Sequence, residues 1–259
     1  MIYKKGKIFL LLSVITIILF SSCASRKKTL YLQQTNVDST QVYANTDTSY
    51  RLQNGDNLYI RVLSLNKEIN DVFNVNSTSN TYNLYNNESS LYINGYTIND
   101  SGNVDLPILG EIELTGKTVN DARATVQARL DEYIKDGIAD LKLISYRFTV
   151  LGEVRQPGVF MNYSEKLNIF EALGRAGDIT EFGNRTGIVI VRPTPDGSVT
   201  YKFDITNNDI LTSEYFYIQP NDVVYVEPLK YKAWKLNTLN VTLMLSAIST
   251  LILVLNFVK

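Results

Sequence analysis

The residues in this chain whose types and spacing could perform chemistry are mainly acidic pairs. Glu111 and Glu113 stand two positions apart, and Glu153 and Glu171 flank a predicted turn. Two carboxyl groups at a fixed separation are what a glycosidase requires. The sequence does not set that separation, and Glu111 and Glu113 suit the solvated face of a strand. An enzyme acting on polysaccharide is therefore the least favoured hypothesis, and we expect no enzymatic activity.

Histidine is absent from the 259 residues, and Cys23 is the only cysteine. The absence of histidine excludes Ser-His-Asp and Cys-His catalysis, histidine-ligated metal sites and imidazole acid–base chemistry. A single cysteine excludes a disulfide within the chain and a cluster of thiolate ligands. We therefore predict no catalytic residue, no metal site and no cofactor.

The C-terminal segment indicates a role at a membrane rather than catalysis. Between Lys235 and Lys259 lie 23 residues without a charge. As a helix this run would be roughly 34 Å long, which matches the roughly 30 Å hydrocarbon core of a bilayer. At about 100° per residue, five polar residues fall within an arc of about 80° that only Leu253 interrupts. We assign them as candidate pore-lining residues: Thr238, Thr242, Ser246, Ser249 and Asn256.

Two interpretations of these five residues, the polar stripe, are open. A ring of helices could turn the stripe toward a water-filled lumen, where uncharged hydroxyl and amide groups would contact a hydroxyl-rich polymer without trapping it. The stripe could instead pack helix against helix through small residues. Both interpretations require an oligomer, because a lone helix in lipid gains nothing from aligned polar groups.

The N-terminus also points to a membrane. Residues 1–22 are predicted to be a signal peptide, since three lysines precede an apolar run over residues 8–20. The run stops at Ser21-Ser22-Cys23, which resembles a bacterial lipobox and predicts lipid attachment at Cys23; the alternative is a buried free thiol.

Aromatic and basic residues precede the C-terminal segment. Tyr231, Lys232 and Trp234 are predicted to form an interfacial belt at the membrane surface. For Trp234 the alternative is packing on the last strand of the preceding domain.

The charge balance argues against nucleic acid as a partner. Without residues 1–22 the chain carries 22 basic and 26 acidic groups, a net charge of about −4. Affinity for phosphate rests on clustered Lys and Arg, and here the charges are scattered.

Between the two ends the sequence predicts an α+β fold of two small domains, each with several short strands and one helix. The helices are predicted over 118–134, capped by Thr118 and Asp121, and over 168–176. Residues 141–154 read as one long strand region, and residues 66–90 as an inserted loop. The predicted organisation is a signal peptide (1–22), a lipidated tether (23–46), a first domain (47–146), a second domain (147–230) and an amphipathic transmembrane helix (231–259).

Four segments carry a family resemblance. They are residues 50–62 (YRLQNGDNLYIRV), residues 99–110 (NDSGNVDLPILG), residues 150–158 (VLGEVRQPG) and residues 171–178 (EALGRAGD). In this order they resemble the Wza-type outer-membrane polysaccharide export lipoproteins. The resemblance implies an export domain followed by a soluble ligand-binding β-grasp (SLBB) domain. The best-known members carry two β-grasp domains, whereas this sequence shows one. The glycines in these segments are expected to build turns rather than a functional site.

The resemblance implies a function, a location and partners. It implies a subunit of a translocon that exports capsular or extracellular polysaccharide through a homo-oligomeric ring and a helical pore. It places the lipid-anchored chain in the bacterial outer membrane, with its soluble domains facing the periplasm. It also implies an inner-membrane polysaccharide co-polymerase, often linked to a tyrosine kinase, as partner. The alternative is a membrane-anchored scaffold lipoprotein that forms no pore and binds a glycan or a protein partner.

Overall fold

The computed structural model describes residues 30–33, 42–46, 49–74, 94–230, 232 and 241–257. These ranges form two α+β domains, followed by a separate C-terminal helix. In the first domain the elements are β1 (Asn57–Leu63), α1 (Lys67–Phe73), β2 (Tyr96–Thr97), β3 (Asn103–Leu106), β4 (Gly110–Glu113), α2 (Val119–Asp131) and β5 (Ile138–Leu143). In the second domain they are β6 (Arg147–Gly152), β7 (Gly158–Met161), α3 (Ile169–Arg175), β8 (Gly183–Thr194), β9 (Gly197–Phe203) and β10 (Val223–Pro228), and the C-terminal helix is α4 (Val241–Phe257).

The first domain is an antiparallel sheet covered by one helix. The sheet has the strand order β2-β1-β5, with Ile60 opposite Leu141, and β3 and β4 form a separate hairpin. Helix α2 buries Ala122, Val126 and Leu130, which are four residues apart and so share one face. Residues from the sheet, hairpin and helix together form a single core cluster.

The predicted first helix is confirmed, including its start. The Thr118 side chain accepts a hydrogen bond from the backbone N–H of Asp121 at 3.1 Å, which satisfies one of the free donors of the first turn. The helix ends at Asp131, three residues earlier than predicted.

The second domain is a five-stranded sheet that packs against α3. The strand order is β7-β6-β10-β8-β9, in which only the pairing of β6 with β10 is parallel. The second predicted helix is confirmed as α3, where Asn168 and Glu171 form a reciprocal capping box. The helix buries Ile169 and Leu173 against the inner face of the sheet, which includes Phe148.

The predicted strand region over residues 141–154 is confirmed as mainly strand, but it comprises two strands, β5 and β6, rather than one. The segment divides between two sheets, because β5 pairs with β1 in the first domain while β6 pairs with β7 and β10 in the second. The alternation of buried apolar residues changes phase between the two strands, from Ala139 and Leu141 in β5 to Phe148 and Val150 in β6, and this change of phase marks where the chain leaves one sheet for the next.

The predicted loop over residues 66–90 begins with a helix. Asn66 caps α1, and Asn74 at its end donates to the Val62 carbonyl at 2.8 Å and accepts from the Val62 N–H at 3.0 Å. Asparagine side chains thus attach a helix with no buried residue to the edge of β1. Residues 75–90 of the predicted loop lie outside the described residues.

The predicted tether also differs from the structure. Residues 30–33 and 42–46, here called the N-terminal strap, lie on the second domain. Leu32 and Gln33 donate their backbone N–H groups to the carbonyls of Ile205 and Thr206. Tyr31 inserts its ring beside Phe170, and its hydroxyl donates to Asp178. Tyr31 therefore helps to attach the strap to the second domain, although the polar composition of this segment predicts an unattached linker.

Candidate functional site

Two buried aspartates close similar turns, one in each domain. In the turn before β1, Gly55 has φ +88° and Asp56 accepts from the Gln53 N–H at 2.9 Å. In the turn before β10, Asn221 has φ +65° and Asp222 accepts from the Gln219 N–H at 2.7 Å. The first turn belongs to a glycine-containing motif and starts a strand as expected, whereas the second starts β10 without a glycine.

Each of these aspartates has further partners. The Tyr50 hydroxyl donates to Asp56 at 2.8 Å, and the Arg192 guanidinium donates to both carboxylate oxygens of Asp222 at 3.0 and 2.8 Å. Burial raises the pKa of both carboxyls, and these hydrogen bonds offset part of that rise. Burial also raises the pKa of Tyr50 well above its usual range. The side chains are therefore fixed within the fold.

A cleft of about 260 Å³ separates the two domains. On the first domain it is bounded by the start of α2 and the end of β5, and on the second by residues 163–166 and 217–220. We call it the interdomain cleft. The polar and aromatic residues that line it are Ser49, Tyr50, Thr118, Asn120, Arg123, Lys142, Tyr146, Tyr163, Ser164, Glu165, Lys166, Tyr217 and Gln219.

Some of these residues hold the cleft in shape. The hydroxyl of Tyr50 is bound to Asp56, and that of Tyr146 donates to the Ile218 carbonyl. Others offer groups toward a ligand: Tyr163 is 75% exposed, and the Lys166 ammonium lies 5.4 Å from the centroid of the Tyr217 ring. Aromatic faces beside amides and cations suit a polar ligand that has rings.

The sequence does not predict the interdomain cleft. Its walls come from segments as far apart as residues 49 and 220, and no spacing along the chain connects them. Only the meeting of the two domains brings α2 to the loop that contains Lys166.

The described part of the C-terminal segment is α4, a helix of 17 residues. Thr242, Ser246, Ser249 and Asn256 lie within it, and Thr238 lies outside the described residues. In the ranges that the structure describes, no helix is both long enough and apolar enough to cross a bilayer. The predicted transmembrane helix over 231–259 is therefore not supported.

Within α4, hydroxyl groups bind the backbone of their own helix. The Ser249 and Thr250 hydroxyls both donate to the Ser246 carbonyl, at 2.9 and 2.8 Å. Such bonds reduce the need of a hydroxyl for water or a neighbouring helix. Ser246 and Ser249 are exposed, and so are apolar residues on other sides of the helix, including Ile248 and Leu251.

Of the remaining predicted site residues, the structure describes only Lys232. Cys23, Tyr231 and Trp234 lie outside the described residues. Lys232, predicted for the interfacial belt, forms an ion pair with Glu153 of the second domain. That contact holds the pKa of Glu153 below its usual value.

The acidic pairs serve structural roles or remain solvated. Glu171 caps α3, and Glu153 binds Lys232 and the Thr180 hydroxyl. Glu111 and Glu113 are exposed on β4, where Glu111 accepts from Asn103. In the described part of the chain, no three His, Cys, Asp or Glu side chains form a cluster that could hold a metal ion.

Comparisons with known proteins identify two domains in the chain, in the same order as the two domains of the structure. Residues 44–143 match the family described as polysaccharide biosynthesis/export protein, and residues 146–226 match the SLBB domain. The chain is 30% identical over 149 residues to the EPS I polysaccharide export outer membrane protein EpsA of Ralstonia nicotianae. It is also 30% identical over 147 residues to the protein of the same name in Ralstonia solanacearum. Each match covers 56% of this chain, but only 39% and 38% of the length of these curated relatives.

Proposed function

The chain belongs to the polysaccharide export family, with an export domain followed by an SLBB domain, and we propose that it is one subunit of an outer-membrane translocon for capsular or extracellular polysaccharide. The observation that carries the proposal is the presence of both domains, in this order, in one chain. The two Ralstonia relatives, named as polysaccharide export outer membrane proteins, support the location in the outer membrane.

The positions of the two chain ends support an orientation for this subunit. The N-terminal strap lies on the SLBB domain, and Leu229 and Lys232 bind Phe182 and Glu153 of the same domain. If Cys23 carries lipid, the seven residues to Leu30 reach at most about 25 Å from the membrane. We therefore orient the SLBB domain toward the outer membrane and the export domain into the periplasm.

The proposal includes a homo-oligomeric ring with a helical pore. Support comes from the polar stripe of the sequence and from the apolar surface of α4, where Leu245 is 60% and Leu253 is 69% exposed. Exposed apolar area of this kind marks a surface that contacts lipid or another chain. An inner-membrane polysaccharide co-polymerase is the proposed partner that delivers the polymer.

Deletion of the gene in the producing cell tests this function. We expect polymer to disappear from the cell surface and medium, and the full-length chain to restore it. A chain without residues 236–259 should fail to restore it, because the proposed pore would be missing. Normal polymer export in the deletion strain would contradict the proposal.

The alternative is a membrane-anchored scaffold that forms no pore, and the interdomain cleft is the observation that favours it. The scaffold predicts a small native mass, and it predicts that loss of residues 236–259 leaves ligand binding unchanged. The translocon predicts a ring, and loss of export on the same truncation.

A further inference from the structure

The five-stranded sheet of the SLBB domain ends in two strands that each have a neighbour on one side only. β7 pairs with β6 and β9 pairs with β8, and in the described part of the chain no strand lies beside their outer edges. β9 is exposed along residues 197–202, and Val159 of β7 is 65% exposed. An open edge presents unpaired backbone N–H and C=O groups, which pair readily with another strand.

The export domain closes its comparable edge with side chains from its own helix. The Gln127 side-chain amide accepts from the Ala139 N–H at 2.8 Å and donates to the Gly137 carbonyl at 2.9 Å. Arg123 donates to the Leu141 carbonyl at 3.1 Å. Helix α2 thus occupies backbone groups of β5 on the side away from β1, and this edge is closed to a further strand.

The edges of the SLBB sheet receive little cover of this kind. Arg175 donates to the Met161 carbonyl of β7 at 2.7 Å, but within the described ranges no side chain binds the backbone of residues 197–202. Edge strands are commonly blocked by proline, by a bulge or by a charge. β9 contains no proline, its register with β8 is regular, and its one charged residue, Lys202, is paired with Glu227 at 2.6 Å. The edge of β9 is therefore open to a partner strand.

The two open edges are complementary in direction. β6 and β10 run parallel, and every other pairing in the sheet is antiparallel, so β7 and β9 run in opposite directions. When a second copy of the domain lies beside the first in the same orientation, its β7 runs antiparallel to β9 of the first copy. The two sheets then join as one.

In β7, Val159 presents its backbone to the open edge. Asn162 donates its N–H to the Tyr146 carbonyl at 2.7 Å, and hydrogen-bonded pairs alternate along an antiparallel ladder. The N–H and C=O of Val159 therefore point away from β6. The Val159 side chain lies on the exposed face of the sheet, whereas Phe160 packs on the core beside Phe148.

In β9, Thr200 has the same arrangement. The two-residue turn over 195–196 makes Thr194 and Gly197 a hydrogen-bonded pair, so by alternation the N–H and C=O of Thr200 point away from β8. The Thr200 side chain lies on the exposed face of the sheet. Tyr201 points to the core side, where its ring stacks on that of Tyr215 with centroids 4.1 Å apart.

We propose that β9 of one copy of this chain pairs antiparallel with β7 of the next copy, with Thr200 beside Val159. This register sets the four residues of β7 against residues 198–201, within the exposed part of β9, and keeps both cores on the same side of the joined sheet. The contact uses a different surface on each copy, so it repeats head to tail and closes into a ring when the rotation allows. The proposal rests on the proposed function for the ring itself and names the surface that forms it.

Disulfide cross-linking of the full chain in its own membrane tests the pairing. Within one subunit, Val159 and Thr200 lie at opposite edges of a five-stranded sheet, about 19 Å apart, which is too far for a disulfide. A disulfide between Val159→Cys and Thr200→Cys therefore joins two copies. After mild oxidation we expect the double variant to form a ladder of linked chains at least about tenfold faster than a control pair, because paired strands hold opposite Cβ atoms about 5 Å apart.

The control pair is Val159→Cys with Lys135→Cys, since Lys135 is exposed on the export domain, beyond the end of α2. It should form no ladder, and wild type gives the background from Cys23. Thr200→Cys alone should stay unlinked, because the proposed contact brings β9 to β7 and not to a second β9. Linked dimers of Thr200→Cys alone, or a ladder no faster than that of the control pair, would overturn the proposal.

Thr200→Pro gives a second test, on the detergent-extracted full chain. The Thr200 N–H faces away from β8, and proline is tolerated at such an edge position. The change removes a donor to the neighbouring copy, so the concentration at which the ring dissociates should rise at least about tenfold. Thr200→Val keeps the N–H and should leave that concentration unchanged. Equal dissociation of the two variants would count against the pairing, and the cysteine pair keeps the test valid if Thr200→Pro disturbs the fold.

The two proposals fail in different ways. If the cysteine pair stays unlinked while the native chain is a ring in the outer membrane, the edge pairing is wrong and the translocon remains. If the pair forms a ladder while deletion of the gene leaves export normal, the translocon is wrong and the pairing is the assembly contact of a scaffold.

Discussion

At the scale of single residues, the SLBB domain depends on a buried ion pair between Asp222 and Arg192. The Asp222 side chain is fully buried, that of Arg192 is 12% exposed, and two hydrogen bonds join them. Removal of one partner leaves a buried charge without compensation, whereas apolar replacement of both is often tolerated.

We predict that Asp222→Ala lowers the free energy of unfolding by about 3–5 kcal/mol. Denaturant unfolding of the detergent-solubilised chain measures this loss. The double variant Asp222→Leu with Arg192→Met should recover a large part of it. Wild-type stability of Asp222→Ala would show that the pair is not buried as described.

The pair of Lys232 and Glu153 gives a dependence of stability on pH. The hydrogen bond from Lys232 lowers the pKa of Glu153 below its usual 4.5. The stabilisation is therefore fully present above the pKa of the unfolded state and is lost as the pH falls through the lower pKa of the folded state. Wild type should exceed Glu153→Gln in stability at pH 7, and the difference should shrink toward zero at acidic pH. A difference that grows on acidification would contradict this assignment.

At the scale of elements, Tyr31 packs residues 30–33 of the N-terminal strap onto the second domain. Its ring lies 5.9 Å from that of Phe170, and the Arg185 guanidinium lies 5.2 Å from its centroid. Burial and the hydrogen bond to Asp178 raise the pKa of Tyr31 to about 12. The hydroxyl therefore remains protonated, and remains a donor, at neutral pH.

Tyr31→Ala should release the strap without unfolding the domain. We expect the backbone N–H groups of Leu32 and Gln33 to exchange with solvent at least about tenfold faster, since loss of the side chain removes its contacts with the second domain. Tyr31→Phe should have a smaller effect because the ring remains. Hydrogen exchange measures both, with β6 as the internal reference that should not change. Unchanged exchange at Leu32 in Tyr31→Ala would show that the backbone bonds hold the strap alone.

The polar stripe of α4 has its own test. If it lines a lumen, Thr242→Leu with Ser246→Leu should impair polymer export while the ring still assembles. If it packs helices together, the same change should reduce the native mass. The control Leu251→Ile changes the opposite side of the helix and should affect neither. Normal export by the double leucine variant would rule out the lumen assignment.

The local features of the fold are predictable from sequence, and the features formed between segments are not. Helices α2 and α3 follow from capping residues and apolar spacing, both of which are local signals. The strands on either side of residue 146 pair with distant partners, β5 with β1 and β6 with β7 and β10, and local spacing does not select those partners. The strap and the interdomain cleft depend on contacts such as Tyr31 with Asp178, 147 positions apart, which no periodicity encodes.

At the scale of the whole molecule, the segments that flank the two domains attach to one domain, while the cleft lies between both. Leu32 and Gln33 of the strap, and Leu229 and Lys232 before the C-terminal helix, attach to the SLBB domain, and the cleft lies between this domain and the export domain. In the proposed orientation the polymer meets the cleft first, on the periplasmic side, and the C-terminal helices afterwards. We propose that the lipid at Cys23, the SLBB domain and the C-terminal helix lie on the membrane side of the subunit in such a ring.

The most direct test of the central claim is the native mass of the full chain, extracted in mild detergent from separated inner and outer membranes. The translocon predicts that the protein is found in the outer-membrane fraction as a closed ring of several subunits. A monomer, or a protein confined to the inner-membrane fraction, would contradict it.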